Sequence, residues 1–117
     1  MRMILAAVLV ALASAAWADE LDDAHRLAIQ GRDSYWNCLA REYSREGTQR
    51  MSAADFTADV ASVCPSERQN FRVALIDFLS MQYPDAESGS HLSTANRAIA
   101  LAQKDIVTAF VRRKAPN

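Results

Sequence analysis

Asp22 and His25 stand three residues apart in a segment of helical periodicity, a spacing that turns a carboxylate and an imidazole toward one metal ion or one substrate proton. One such pair is only part of a site. The other histidine of the chain, His91, falls in a distant polar stretch. Asp22 also has Asp19, Glu20 and Asp23 beside it, and such acids suit the first turn of a helix, where they meet the positive end of the macrodipole. Acids serving the dipole next to an exposed histidine is therefore the preferred reading, ahead of a metal protein or enzyme built on Asp22 and His25. The chain has no phosphate-cradling glycine loop, no Gly-x-Ser-x-Gly, no His-Glu-x-x-His and no Cys-x-x-Cys-His. The groups that hydrolysis, phosphoryl transfer or haem attachment require are missing, so no enzyme activity, no metal and no cofactor is expected.

The two cysteines, Cys38 and Cys64, carry the second candidate chemistry. They form no Cys-x-x-Cys, no lysine adjoins them and bulky residues flank Cys38, so a redox-active pair lacks its usual surroundings. Each lies on the apolar side of its predicted helix. Antiparallel packing of those helices across a turn at Gly47 brings residues near 40 and 60 together. A structural Cys38–Cys64 disulfide is expected, closing a loop of about 25 residues and contributing roughly 3 kcal/mol.

Tyr35, Trp36 and Tyr43 put aromatic side chains on more than one face of the first helix and mark a candidate interaction surface. Trp36 is either buried beneath the last helix or an exposed contact. Burial is the expectation, because so small a domain must use its large residues as core. An exposed aromatic face would serve an unknown protein partner or self-association. Arg112, Arg113 and Lys114 cluster at the end of the last predicted helix, where positive charge opposes the negative end of the dipole. Three charges give only a weak hold on anionic lipid.

The elements that position these residues begin with Met1, Arg2 and Met3, an apolar run from Ile4 to Ala13, and then Ser14, Ala15, Ala16, Trp17 and Ala18. A short positive start, an apolar stretch too short to span a bilayer and small residues at −3 and −1 make residues 1–18 a secretory signal peptide. Cleavage is placed between Ala18 and Asp19. Ala13 and Ala15 also satisfy the small-residue rule, but cleavage there leaves Trp17 in the exported chain. The short start looks bacterial, and export to the periplasm or beyond supplies the oxidising compartment in which disulfides persist.

Residues 19–117 suffice for a single helical domain. Arg2 is the only charged residue of the signal, which leaves a formal charge of −2 against −1 for the whole chain. That near-balance gives no footprint for nucleic acid. No later apolar stretch has transmembrane length, so no membrane span is expected after signal removal, and the exported domain is expected to be soluble.

Leu21, Ala24, Leu27, Ala28, Tyr35, Cys38 and Leu39 recur at helical intervals and predict a first helix over 20–46, stopped by a left-handed Gly47. Ser52 caps a second helix, with Met51 and Phe56 as a hydrophobic staple and Ala53, Phe56, Val60, Val63 and Cys64 on one face. Pro65 ends or bends that helix and pushes Cys64 toward extended backbone. Ser66 with Gln69 reads as the capping box of a third helix, which carries Phe71, Leu75, Phe78 and Leu79 to a stop at Pro84. Residues 84–91 read as a loop. A fourth helix begins near Ser93, with Ile99, Leu101, Ala102, Ile106, Val107, Phe110 and Val111 in a broad apolar band. Nothing alternates with period two. The fold class is all-α, a small irregular antiparallel bundle of three to four helices with one disulfide, preceded by a signal peptide.

Trp36-Asn37-Cys38, with Val63-Cys64 later and Phe71 seven residues beyond, resembles the small periplasmic acid-stress chaperones of the HdeA type. That resemblance covers about half of the mature chain and implies a dimer that dissociates in acid and exposes apolar surface to unfolding clients. The cysteines here are closer together, and a long helix is added after Pro84. The chain also resembles uncharacterised small exported two-cysteine helical proteins of alphaproteobacteria. These are similar in the aromatics before the first cysteine, the alanine-rich helix ending in the second, Glu67-Arg68, and the Phe-Arg-x-Ala-Leu run from Phe71 to Leu75. This likeness implies a fold and a compartment, and no activity. The expected function is a non-enzymatic interaction or structural role in the periplasm, chaperone-like under envelope stress. The alternatives are an inhibitor or immunity protein for one exported enzyme or toxin, and the metal protein or enzyme at Asp22 and His25.

Overall fold

The computed structural model describes residues 2–87 and 89–115, with side-chain surroundings from residue 16 onward. Helix α1 covers Arg2–Ser44, α2 Ala53–Ser62, α3 Pro65–Gln82 and α4 Ser90–Lys114, with one 3-10 turn at Thr48–Arg50. Among the described residues there is no strand. No helix among them is long and apolar enough to cross a membrane.

Helix α1 runs through Asp19 without a break. The alanine-rich stretch before it has high helix propensity and contains neither glycine nor proline to stop it. Asp19, Glu20, Asp22 and Asp23 are thus interior to the helix, and their expected place in its first turn is corrected. Its end comes at Ser44, two residues before the expected one. Gly47 follows with φ 95°, and the buried Thr48 hydroxyl donates to the Glu42 carbonyl at 2.8 Å, satisfying one of the free carbonyls of the last turn.

The α2 start is as the sequence predicts, with Ser52 Oγ accepting from the Asp55 amide at 3.0 Å. Phe56 and Val60 are buried, while Ala53 is exposed. The helix stops at Ser62, where Arg68 Nη1 reaches back to the carbonyls of Ala61 at 2.9 Å and Val63 at 3.2 Å. Cys64 is not extended. It adopts left-handed backbone at φ 60°, ψ 47°, and with the extended Val63 forms the two-residue connection between α2 and α3. Pro65 then takes the first position of α3, where its fixed φ suits helix initiation and its missing amide costs nothing. Ser66 is already helical as a result, so it cannot cap, and the expected Ser66–Gln69 box is absent.

Helix α3 returns antiparallel along α1. Cys38 is bonded to Cys64 with their Cα atoms 6.1 Å apart, Gly31 faces the Phe71 backbone, and His25 stacks obliquely on Phe78 with centroids 4.8 Å apart. Helix α4 lies over this pair, antiparallel to α3 through Arg72 Nε and Asn96 Oδ1 at 2.9 Å, and parallel to α1 through Gln103 Nε2 and the Tyr35 hydroxyl at 3.0 Å. The short α2 closes one end by stacking Phe56 on Phe110, with ring centroids 4.2 Å apart. The expected antiparallel pairing of α1 with α2 is therefore corrected. The main partner of α1 is α3, and the disulfide ties α1 to the α2–α3 corner. The reason is that both buried residues of α2 belong to the core shared with α4.

The core consists of Tyr35, Leu39, Phe56, Val60, Phe71, Ile99, Ile106 and Phe110, with Cys64 and Ala102. The apolar band of α4 is narrower than expected, since Leu101 and Val111 are exposed. Helix α4 also starts earlier than predicted, directly after Gly89 at φ 89°, so His91 is helical.

A β-carbon on Gly31 would sit 3.0 Å from Phe71 Cα, a backbone atom that cannot give way cheaply. Gly31→Leu is expected to lose about 1–3 kcal/mol by overpacking, in spite of the better helix propensity of leucine. Urea unfolding followed by circular dichroism measures this, and an unchanged or raised midpoint would contradict the close approach.

Candidate functional site

Asp22 and His25 do not face one another across an assembled centre. The Asp22 carboxylate lies 4.0 Å from Arg26, and the His25 ring packs on Phe78. Both border a small hollow with Ala18, Leu21 and Gln82. His91 Nε2 is 3.1 Å from the Tyr83 carbonyl, where it helps tie the start of α4 to the end of α3. Among the described residues, one trio of metal-ligating side chains comes together, Cys38, Cys64 and Glu67, with ligand atoms within 4.8 Å of one another. Its sulfurs are already joined in the disulfide.

Of the three aromatics considered for an interaction surface, Tyr35 is fully buried and belongs to the core, which corrects that expectation. Trp36 and Tyr43 are half-buried against the core. The Tyr43 ring is covered by the Arg113 guanidinium, 3.9 Å from its centroid, and Arg113 also donates to the Tyr43 carbonyl. Lys114 donates to the Met51 carbonyl. Arg113 and Lys114 thus dock the end of α4 onto α1 and the α1–α2 connection, a long-range role beyond the local dipole effect that the sequence supports.

A groove of about 980 Å³ runs along α1 and α3, with no lining residue from α4. Its walls are two helical stripes. Glu20, Asp23, Ala24, Leu27, Gly31 and Ser34 come from α1; Glu67, Asn70, Val73, Ala74, Asp77 and Met81 come from α3. Each stripe spans fifteen residues, about 21 Å of helix from first to last. Ala24, Gly31 and Ala74 keep the floor low. Leu27 and Val73 leave 58% and 48% of their surface exposed, although Leu27 was read from its spacing as part of the buried face. Four carboxylates and no basic residue line the groove. Asp23 is held by Arg26 at 2.8 Å, whereas Glu20, Glu67 and Asp77 make no ion pair among the described residues.

A second polar feature was invisible in the sequence. Glu42 of α1 and Asp59 of α2 meet at the closed end, and Asp59 Oδ2 is buried with no donor among the described groups. A proton shared between the two carboxyls supplies one. That hydrogen bond to Glu42, followed by burial and by repulsion from the Glu42 charge, pushes Asp59 up to about 6. Glu42 keeps its charge. The bond from Asp59 and that from Arg45, at 2.9 Å, hold it below the usual carboxylate range.

No protein-family model, curated protein or solved structure matches the chain. The groove, the disulfide and the acid pair are the grounds on which its function can be read.

Because Asp59 is raised, its proton contributes stability that is complete below 3.8 and is lost as pH rises through about 6. Because Glu42 is lowered, its contribution is present above 4.5 and is lost as pH falls through its depressed value. The pair is strongest with one proton. Asp59→Asn supplies a donor at every pH, so the wild type should lose on the order of 1 kcal/mol more than the variant between about pH 5 and about pH 7. Urea unfolding at the two pH values measures it, and parallel profiles would contradict the shared proton.

Proposed function

We propose that this protein is a non-enzymatic, exported helical interaction protein that takes a protein partner along the α1–α3 groove. The observation that carries this reading is the groove itself, an open trough about 21 Å long whose lining combines exposed leucine and valine with four carboxylates. An elongated trough between two helices suits a helix laid along it better than it suits a small enclosed ligand. A disulfide is consistent with an oxidising exported compartment. Removal of residues 1–18 would leave Asp19 and Glu20 at the start of α1, where they gain the dipole role that they lack in the full-length helix. The groove is one defined surface, which supports a dedicated partner ahead of broad client binding. That dedicated partner could be the exported enzyme or toxin of an inhibitor or immunity protein, and the resemblance to alphaproteobacterial exported proteins agrees in compartment.

Crosslinked pull-down from the periplasmic fraction tests this with the wild type and with Leu27→Glu/Val73→Glu, two exposed positions. One stoichiometric partner, lost with the double variant, is the expected result. Many partners that multiply in acid would favour the chaperone reading instead. Intact-mass measurement of the same material is expected to place the N-terminus at Asp19.

A further inference from the structure

The buried residues of α4, Ala95, Ile99, Ala102, Ile106 and Phe110, turn one face of this helix to the core. The opposite face carries Arg97, Leu101, Lys104, Thr108 and Val111 at alternating four- and three-residue steps. Leu101 and Val111, ten residues apart on this outward stripe, are 53% and 47% exposed. Arg97 and Lys104 are exposed and make no ion pair among the described residues. From Arg97 to Val111 the stripe spans fifteen residues, the same length of about 21 Å as each wall of the groove.

The stripe and the groove are complementary in three respects. Their lengths agree, the groove offers small residues where a helix must approach to about 8–10 Å, and its acidic lining meets the basic side chains of the stripe. We infer that the α1–α3 groove of one molecule receives the outer face of α4 from a second copy of this chain. This inference rests on the groove being a docking site for a helix. Groove-to-groove pairing is disfavoured, because it would bring eight carboxylates together with no basic residue among the lining side chains.

The placement of the two surfaces fixes the kind of assembly. Helix α4 covers one side of the α1–α3 pair, and its stripe points away from that pair, whereas the groove opens between α1 and α3 with no α4 residue in its lining. Two molecules cannot satisfy both surfaces of each other at once. The contact is head-to-tail, so copies add one after another past the dimer, in an open chain or a ring of three or more.

Sedimentation equilibrium on the protein as isolated, with its disulfide formed, tests this. The weight-average mass is expected to rise with concentration past that of a dimer. Raising the salt from about 0.1 M to about 1 M, which shortens the screening length from about 10 Å to about 3 Å, should reverse much of that rise. Two variants separate the surfaces: Leu27→Lys/Asp77→Lys blocks the groove and keeps the stripe, and Arg97→Glu/Lys104→Glu reverses the stripe and keeps the groove. Each alone is expected at monomer mass, and their equimolar mixture should stop at a dimer. Formation of that dimer also establishes that both variants are folded. A wild type at monomer mass across the concentration range would overturn the second copy as occupant, while the pull-down above would still decide whether the groove takes another protein. A mixture that stays monomeric while the wild type associates would overturn the pairing of these two surfaces.

Discussion

At Gly31 the backbone of α1 comes so near to Phe71 that a β-carbon there would lie 3.0 Å from its Cα, and the Cys38–Cys64 bond pins the same two elements two turns further along. These two contacts set the spacing and direction of the α1–α3 pair. With the helices that close, one side of the pair forms a surface on which α4 buries Ile99, Ala102, Ile106 and Phe110. The other side is left as a shallow trough with a floor of small residues. A leucine or phenylalanine at position 31 would separate the helices and change both sides together.

The two ends of the bundle are held by different means. Around the disulfide, Thr48, Arg68, Arg113 and Lys114 each bond a main-chain carbonyl at a helix end or in the connection that follows it, and Phe56 stacks on Phe110. The Glu42–Asp59 pair sits among these contacts and binds a proton that neither residue would hold so firmly in water. At the opposite end the visible ties are sparser, chiefly His25 on Phe78 and His91 at the Tyr83 carbonyl. The groove runs from the disulfide end toward this second end. His25, weighed with Asp22 as a possible site, thus packs on Phe78, and His91 serves a helix junction.

Charge is distributed with more order than a near-neutral total suggests. The groove gathers four acids without a base, while α4 turns Arg97 and Lys104 outward on the far side. Oppositely charged faces on one small molecule favour oriented association over nonspecific sticking, because like faces repel and unlike faces attract. The exposed Leu27 and Val73 lie in the acidic groove, and the exposed Leu101 and Val111 lie on the same α4 face as Arg97 and Lys104.

Local signals in the chain determined the helical class, the Ser52 cap, the left-handed turn at Gly47, the stop before Pro84 and the pairing of the only two cysteines. Each of these depends on the conformational preference of one or two residues, or on a count. Boundaries that depend on competition were less legible: Pro65 outbid Ser66 for the start of α3, and the alanine run carried α1 back past Asp19. Helical periodicity marks which residues share a face, but it is silent about which neighbour covers that face. The pairing of α1 with α3, the exposure of Leu27, the burial of Tyr35 and the meeting of Glu42 with Asp59 were therefore decided only by tertiary structure. They depend on how close two backbones can come, and at Gly31 that distance is set by a contact forty residues away in the chain.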